Sequence, residues 1–464
     1  MATLKTRIER DSMGEMNVPA DALWGASTQR AVENFPISGE RFPRVFLQAL
    51  GLVKRAAALA NGALGVLDPA LAQAIADAAG EVAAGAHDDH FPLDVFQTGS
   101  GTSTHMNANE VIAARARALL AERGRPAAVH PNDHVNASQS SNDVIPTALH
   151  VAARLALRDD LAPALAALEA VLRARAADFD GVVKLGRTHF MDATPVRLGQ
   201  EFAGWARQVE LGRERLARAS DSLAEVALGG TAVGTGLNCP AGFVERALAE
   251  LSRATGLALE EARDHFEAQG ARDACVEASG ALRTVALSLA KIASDVRLLA
   301  SGPRAGLGEL ALPAIQPGSS IMPGKVNPVI CEVVLQVAAQ VVGNDAAIGA
   351  AAAQGQLELL TAIPVIARNL LASIRLLAAA ARVFHEKCLA GVEARAERAA
   401  ELLEESLAMV TVLAPALGYD RAAELAKEAW RTGKRVRALA LEKEVLPREE
   451  LLRLLDPMAQ TGKR

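Results

Sequence analysis

Large apolar side chains at helical spacing constrain the middle of this 464-residue chain more than any other feature does. The clearest run places one at every third or fourth position: Leu282, Val285, Leu289, Ile292, Val296 and Leu299. This spacing is typical of helices that pack lengthwise against one another. The run stops at Ser301-Gly302-Pro303, which predicts the C-terminal end of the helix.

Two other segments predict long apolar helices of the same kind. One begins near Pro146, after Ser140–Asp143, and carries the seam Leu161, Leu165, Leu168 and Leu172. The other is predicted from Pro328 to about Val342, with an end at Gly343-Asn344. Because apolar residues cover more than one face of these helices, we expect a bundle whose outer faces are buried by oligomerisation.

Composition excludes several classes of protein. Half of the residues are hydrophobic but only 3% are aromatic, which disfavours a β-sandwich and favours a mainly α fold. The net charge of −5, without a basic stripe carrying aromatic residues, argues against nucleic acid or an anionic membrane as a partner.

The cysteines and the N-terminus predict a cytoplasmic location. Cys239, Cys275, Cys331 and Cys388 form no CxxC pair, so we expect reduced thiols. The first residues, MATLKTRIERDSMGE, lack the apolar core of a signal peptide. The most Ala-rich stretch, 346–353, is shorter than the ~18 apolar residues that cross a bilayer.

Polar islands rich in Gly, Thr, Asn and Pro separate the predicted helices, and loops of this kind often carry function. We predict an N-terminal domain at 1–137, a central long-helix domain at 138–393 and a small helical C-terminal domain at 394–464.

Two glycine-rich islands fail as phosphate-binding motifs. The segment from Gly318 to Lys325 has five residues between its glycines, and Val326 stands where a P-loop needs Ser or Thr. Gly230–Gly236 lacks the dinucleotide fingerprint, which leaves a tight structural loop or a substrate contact as its role. His130 and His134 have no evident third ligand nearby, so we predict no metal site.

His189 and the loop around Lys325 carry the strongest chemical signals. His189 lies between Gly-Arg-Thr and an apolar pair, where a histidine serves either proton transfer or a structural hydrogen bond. Lys325 and Asn327 lie in a proline-restrained loop and can both meet a carboxylate. The residues alone therefore predict a helical oligomer with loop sites for a small anion.

A family resemblance sharpens this prediction. The segment GSSIMPGKVNP at 318–328 is the signature of the fumarase/aspartase superfamily, and it is accompanied in the expected order by TGSGT, HPNDHVN, SQSSNDVIPT, GRTHFMDATP and GGTAVGTGLN. From Ile8 through Tyr419 and nearly to the C-terminus, the chain resembles the class II, iron-independent fumarate hydratases. The resemblance implies a three-domain fold and a homotetramer with a twenty-helix core, in which three subunits build each active site.

The resemblance also implies a reaction, the reversible, stereospecific hydration of fumarate to (S)-malate in the tricarboxylic acid cycle. It assigns Ser319, on a mobile loop, as the base for the C3 proton, and His189, oriented with Glu332, as the partner acid/base. Substrate contacts fall on Ser100, Thr102, Ser140, Ser141, Asn142, Thr188, Lys325 and Asn327. A secondary dicarboxylate site falls on His130, Asn132 and Asp133. The implied reaction passes through an aci-carboxylate and needs no metal or organic cofactor.

Two alternatives stay open at this point. Aspartate ammonia-lyase shares the fold, and Val329 with Glu332-Val-Val334 resembles that enzyme, whereas Gly324 resembles the hydratases. A catalytically impaired homologue is the second alternative. It rests on departures from the family pattern at His105, Leu360, Thr361 and Ala127.

Overall fold

A computed structural model describes residues 5–462 of the chain. Helices dominate it, in agreement with the predicted mainly α fold: α1 (Ala26–Asn34), α2 (Arg44–Ala63), α3 (Pro69–Ala84), α4 (Thr102–Glu122), α5 (Ser141–Ala156), α6 (Ala162–Asp178), α7 (Leu198–Ser222), α8 (Phe243–Thr255), α9 (His265–Gly270), α10 (Asp273–Leu299), α11 (Val329–Ala352), α12 (Ile363–Lys387), α13 (Ala396–Glu405), α14 (Ala414–Leu417), α15 (Tyr419–Thr432), α16 (Val436–Glu442) and α17 (Arg448–Leu454).

The strands of the described residues form only two-stranded sheets. They are β1 (Thr6–Asp11) with β2 (Gly14–Pro19), β3 (Val183–Thr188) with β4 (Met191–Arg197), β5 (Glu225–Val226) with β6 (Glu260–Glu261), β7 (Leu310–Ala311) with β10 (Glu393–Ala394), and β8 (Gly355–Gln356) with β9 (Leu359–Leu360). The β5–β6 pair is parallel and the others are antiparallel.

The chain divides into two compact units, each assembled from three segments. Unit 1 comprises Met1–Pro163, Glu214–Thr284 and Ala339–Ala378, and unit 2 comprises Ala164–Arg213, Val285–Ala338 and Ala379–Arg464. Helices α6, α7, α10, α11 and α12 contribute residues to both units.

Small residues let the helices of unit 1 approach closely. A Cβ added at Gly51 of α2 would lie 2.7 Å from the backbone nitrogen of Ala83 in α3. Alanines of these two helices, such as Ala57 and Ala76, are completely buried. The high Ala content therefore serves close helix packing, which side chains any larger would prevent.

In unit 2 the C-terminal helices have an apolar core of their own. It contains Leu403, Met409, Leu413, Leu425 and Leu439, all nearly inaccessible to solvent. Leu185 of β3 lies in the same cluster, so the core also holds the β3–β4 hairpin in place.

The predicted helix ends are partly correct. Helix α10 ends at Leu299, just before the predicted stop. The second seam begins at Leu161, the last residue of a π-helical turn (Leu157–Leu161) that follows α5, and continues through α6. The predicted end at Gly343-Asn344 is wrong, because α11 continues to Ala352. The Asn344 amide donates to Ser373 Oγ of α12 at 3.0 Å and so does not cap the helix.

Two helical segments, Val329–Ala352 and Ile363–Gly391, are long and apolar enough to cross a membrane by length and composition alone. Buried core helices pass the same test, and 67% of the most apolar window of the second segment is buried. The first segment buries only 28% of its window, and an exposed apolar surface of this kind is typical of a contact with another protein chain.

Candidate active site

A chain of hydroxyl groups joins two of the predicted substrate-contact segments within unit 1. Ser100 Oγ lies 2.6 Å from Thr102 Oγ1, which lies 2.8 Å from Ser141 Oγ. Gly101 has a φ of +75° at the start of α4. Gly99 packs so tightly that an added Cβ would lie 1.8 Å from the carbonyl oxygen of Thr361. These glycines allow the loop before α4 to meet the start of α5.

Ser140 and Asp143 form a capping box at the N-terminus of α5. Ser140 Oγ accepts the N–H of Asn142 at 3.2 Å, and Asp143 Oδ1 accepts the N–H of Ser140 at 2.9 Å. The positive end of the helix dipole and its free N–H groups favour an anion at this position. The hydroxyl chain and Asn142 thus lie where a carboxylate would be stabilised.

The glycine island at 229–236 is anchored to this helix start. Asp143 Oδ2 accepts the N–H groups of Gly229 and Thr231, both at 3.0 Å, and Asn142 Nδ2 donates to the Ala232 carbonyl at 2.8 Å. Burial raises the pKa of Asp143 while these N–H groups lower it. An added Cβ at Gly230 would lie 2.1 Å from Gln269 Oε1, so the island is a tight structural loop that also supports Asn142.

In unit 2, Thr188 and His189 lie at the exposed tip of the β3–β4 hairpin. His189 and Phe190 occupy the two turn positions with φ of +57° and +60°. Left-handed backbone at two successive residues that are not glycine is costly and is concentrated at functional sites. Within residues 5–462 no hydrogen bond joins His189 to Glu332 or to any other residue.

Buried ion pairs hold the base of this hairpin. Arg187 donates to both oxygens of the fully buried Glu309 carboxylate, at 2.8 and 3.2 Å. Lys184, also fully buried, donates to Glu201 at 3.0 Å and lies 3.5 Å from Glu309. A cavity of about 590 Å³ is lined by Lys184, Arg187, Glu201 and His189. The hairpin therefore presents His189 from a fixed base.

The signature loop of unit 2 is closed by its own backbone. The Gly318 N–H donates to the Lys325 carbonyl at 2.7 Å, and Asn327 Nδ2 donates to the Gly318 carbonyl at 2.7 Å. Ser319 Oγ accepts the N–H groups of Ile321 and Met322 at 3.2 and 2.9 Å. Two N–H donors on one hydroxyl oxygen stabilise negative charge there. The Lys325 side chain is exposed.

The residues implied for the secondary site lie around a π-helical turn of unit 1, Pro131–Val135. His130 Nδ1 accepts the N–H groups of Asn132 and Asp133 and lies 3.2 Å from Asp133 Oδ2. His130 and Asn132 line a cavity of about 590 Å³, together with Arg7, Arg10 and Arg117. Glu9, Asp11 and Glu110 line the same cavity and balance these three arginines, so an anion there would be bound by individual guanidinium groups and not by a net positive charge.

Two of the departures from the family pattern are now located. Leu360 is completely buried in β9, so its side chain faces packed protein. His105 is buried in α4 and contacts Lys54 and Asn136. Sequence reasoning singled out His105 but missed Lys54, whose only signal is a charge inside the apolar pattern of α2.

The predicted site residues thus fall into two sets. Unit 1 holds Ser100, Thr102, Ser140, Ser141 and Asn142, and unit 2 holds Thr188, His189, Ser319, Lys325, Asn327 and Glu332. In unit 1, the hydroxyl groups of Ser100, Thr102 and Ser141 lie within hydrogen-bond distance of one another in sequence. In unit 2, a hydrogen bond from Asn327 to the Gly318 carbonyl closes the loop that carries Ser319. Among the described residues, no group of three His, Cys, Asp or Glu side chains is arranged to hold a metal ion.

Comparison with known proteins places the whole chain among lyases. A family model described as "Lyase" matches residues 14–343, and one described as "Fumarase C C-terminus" matches residues 409–462. A class II fumarate hydratase of Halobacterium salinarum is 58% identical over 455 residues, covering 98% of this chain and 97% of that protein. One of Corynebacterium efficiens is 54% identical over 468 residues, covering 100% and 98%. The crystal structure of a class II fumarase from Schistosoma mansoni superposes with a TM-score of 0.95 at 39% identity, covering 98% of this chain and 99% of that one.

Proposed function

The chain belongs to the class II fumarate hydratase family of lyases, and we infer from this that it catalyses the reversible hydration of fumarate to (S)-malate. The observation that carries the proposal in the structure is the hydroxyl chain Ser100–Thr102–Ser141 at the start of α5. Donors and a helix N-terminus at one point fit a substrate carboxylate. We place the reaction in the tricarboxylic acid cycle and the enzyme in the cytoplasm.

The reaction requires the negative charge that forms at C3, next to a carboxylate, to be stabilised. Removing the C3 proton of malate moves charge onto that carboxylate, which becomes a dianionic aci-carboxylate. On this proposal Lys325 and Asn327 hold that group by charge and hydrogen bonds, because preorganised donors are worth most where charge develops. The exposed position of the Lys325 side chain leaves its ammonium free to meet a substrate.

Ser319 takes the C3 proton in this mechanism, and His189 serves the C2 hydroxyl as the partner acid/base. A serine is a weak base at its ordinary pKa, and the N–H groups of Ile321 and Met322 on its Oγ stabilise the alkoxide. His189 donates a proton to the departing hydroxyl, oriented in the assembled site by Glu332. Thr188 and Ser140 complete the substrate contacts.

We further propose a homotetramer in which both sets of residues, contributed by three subunits, meet at each active site. The uncovered face of α11 supports this assembly. Its exposed positions combine Val333 and Val342, 40% and 37% exposed, with small residues at Ala339, Gly343, Ala346 and Ala350. Such a face suits close contact with another helix of the same kind. Phe190 and Met191, 81% and 68% exposed, add a second apolar patch.

Two other proposals follow from the family. The cavity lined by His130 and Asn132 is proposed, with the neighbouring Asp133, as a secondary dicarboxylate site. The division into domains at 1–137, 138–393 and 394–464 is proposed for the folded subunit.

The decisive experiment follows the ultraviolet absorbance of fumarate mixed with the purified protein, with and without ammonium. Loss of absorbance in the absence of ammonium supports hydration. Loss only with ammonium would make the protein an aspartate ammonia-lyase, and no change under either condition would make it an impaired homologue.

A further inference from the structure

Lys54 is a buried charge-bearing group that the proposed mechanism leaves unused. Its side chain is completely buried in α2. Its Nζ lies 3.2 Å from His105 Nε2, 3.3 Å from Asn136 Oδ1 and 3.0 Å from Gln139 Oε1. No carboxylate within residues 5–462 forms an ion pair with it. A buried ammonium without such a partner is costly, so the stability of this cluster depends on which of its groups carry protons.

The amide orientation decides where the protons lie. Asn136 Nδ2 donates to the Gln139 carbonyl at 3.3 Å, so Asn136 Oδ1 faces Lys54 and His105. Because this oxygen can only accept, the 2.6 Å contact with His105 Nε2 requires a proton on Nε2. His105 Nδ1 is buried and unpartnered in the part of the chain that the structure describes, as suits an unprotonated nitrogen of a neutral ring.

A protonated Nε2 leaves no lone pair for Lys54. An ammonium has three N–H donors and no acceptor, so one N–H would point at the N–H of His105. An uncharged amine avoids this clash, since it donates to Gln139 Oε1 and Asn136 Oδ1 and turns its lone pair towards His105. Every N–H donor of Lys54 and the Nε2–H of His105 therefore has an acceptor only when Lys54 is neutral.

Lys54 also supports the segment that meets the substrate. Gln139, whose Oε1 it contacts, donates through Nε2 to the carbonyls of Val135 and Ala137 at 3.1 and 2.9 Å. Gln139 immediately precedes Ser140, the cap of α5. A shift of the Gln139 side chain would be passed directly to Ser140, Ser141 and Asn142.

We propose that Lys54 is a positioning residue, which as an uncharged amine matched to His105 fixes the Gln139–Asn142 segment for the substrate carboxylate. This inference rests on the proposed function. When Lys54 takes up a proton, its ammonium group and the Nε2–H of His105 are both hydrogen-bond donors and repel each other. The Gln139–Asn142 segment is then held less firmly. The enzyme then loses activity on the acid side through a group that does not touch the substrate.

The surroundings of Lys54 bring its change of protonation state close to neutral pH. Burial lowers its pKa to about 7, while Asp143 of α5 raises it. His105 of α4 is the other titratable group that faces it, and burial and Lys54 hold the pKa of that ring well below its usual range. His105 thus stays neutral while Lys54 changes its charge.

The test compares the pH dependence of kcat/KM for fumarate, from pH 5.5 to 9.5, in wild type and His105→Asn. An asparagine offers Lys54 a third acceptor, so an ammonium would be satisfied and the segment would stay fixed at lower pH. We expect the acid limb of the wild-type profile near pH 7, and its displacement to lower pH by about one unit or more in the variant. His150→Asn is the matched control, because His150 is another buried histidine of the same unit and bonds to the Glu225 carbonyl. Its profile should keep the wild-type shape.

Lys54→Met provides a second test, since methionine has similar length and suits a buried position. We expect kcat/KM to fall roughly 10- to 100-fold through misplacement of the substrate contacts, with loss of the Lys54-dependent limb. If the profiles of both variants superimpose on wild type after scaling, the positioning role is wrong.

Thermal unfolding supplies a measurement that does not depend on catalysis. Lys54 has a lower pKa folded than unfolded, so wild type should gain stability relative to Lys54→Met as the pH rises from about 7 towards 10. A difference in melting temperature that stays constant over this range would overturn the uncharged-lysine assignment. Failure of wild type to hydrate fumarate would count against the proposed function instead, and this measurement would still decide the charge of Lys54.

Discussion

At the scale of single residues, the structure supplies local chemistry that the motifs only imply. Ser319 is recognisable from the signature, but the two backbone N–H groups on its Oγ follow from the way the loop folds back on itself. His189 is recognisable from its neighbours, whereas its left-handed backbone is visible only in the folded hairpin. The motifs point to Ser319 and His189 as the proposed reactive groups, and the backbone explains how these two side chains are presented.

Replacing Ser319 by alanine tests the base. We expect Ser319→Ala to lower kcat by at least ~100-fold, because proton transfer by a positioned group is worth about that much or more. Ser320→Ala is the matched control, since the neighbouring serine is exposed and accepts no such pair of N–H groups in the described structure. Initial rates of fumarate consumption measure both, and equal rates for the two variants would remove Ser319 from its assigned role.

Replacing His189 by asparagine tests the partner acid/base without breaking the hairpin. Asparagine tolerates a positive φ better than most residues, so the turn at +57° should persist. We expect His189→Asn to lower kcat by ~100-fold or more while the melting temperature stays near that of wild type. Near-normal turnover with an intact fold would mean that another group transfers this proton.

At the scale of elements, helix seams are predictable and helix ends are less so. Apolar spacing predicts the seam of α10, and the Ser-Gly-Pro that follows predicts its end. The end of α11 is not predictable in this way, because Gly343-Asn344 is a stop signal only when the asparagine caps the helix. Here Gln340 donates to Asn344 Oδ1 at 2.8 Å, and Asn344 donates to Ser373 of another helix. A hydrogen bond to Ser373, far away in the sequence, thus prevents Asn344 from ending the helix where the local sequence predicts.

The β3–β4 hairpin depends on charges that lie far apart in the sequence. Glu309→Gln would keep the shape of the side chain but leave Lys184 and Arg187 with too little negative charge in a buried place. We expect a loss of about 3–5 kcal/mol of stability. Glu401→Gln, at a pair with Arg398 in which Glu401 is 63% exposed, should cost less than ~1 kcal/mol.

Thermal unfolding of the two variants measures this difference. A large fall in melting temperature for Glu309→Gln, together with a small one for Glu401→Gln, is the expected pattern. If both variants have the melting temperature of wild type, the buried ion pairs do not fix the hairpin that carries His189.

At the scale of the whole molecule, the Ala-rich and aromatic-poor composition accounts for two features. Inside unit 1 it allows α2 and α3 to pack with Gly51 against the backbone near Ala83. On α11 it leaves an apolar face of small residues uncovered, as expected for a surface that meets another subunit.

A charge on that face should prevent assembly. We expect Ala346→Glu, in the exposed part of α11, to give a smaller species in size-exclusion chromatography with light scattering, because the proposed interface would bury an unpaired carboxylate. Activity should fall with assembly if subunits share active sites. Ala400→Glu, at an exposed alanine of α13, is the control and should leave the assembly unchanged. An unaltered oligomer for Ala346→Glu would exclude this face from the interface.

The distribution of the predicted site residues between the two compact units is not predictable from the motifs. Their order along the chain identifies Ser141 and Lys325 equally well, but it does not indicate that they belong to different compact units. Nor does it reveal Lys54, whose partners on α4 and before α5 come together only through packing of unit 1. Motifs predict the groups proposed to touch substrate, whereas the groups proposed to position them depend on tertiary contacts.

Proton NMR of fumarate incubated with the purified protein in ammonium-free D₂O tests the central claim most directly. Hydration adds solvent hydroxyl at C2 and one solvent deuteron at C3 by a stereospecific route. We therefore predict malate with a single deuterium at C3, in one configuration only. Fumarate that stays unchanged, or that is converted only after ammonium is added and then to aspartate, would contradict the assignment.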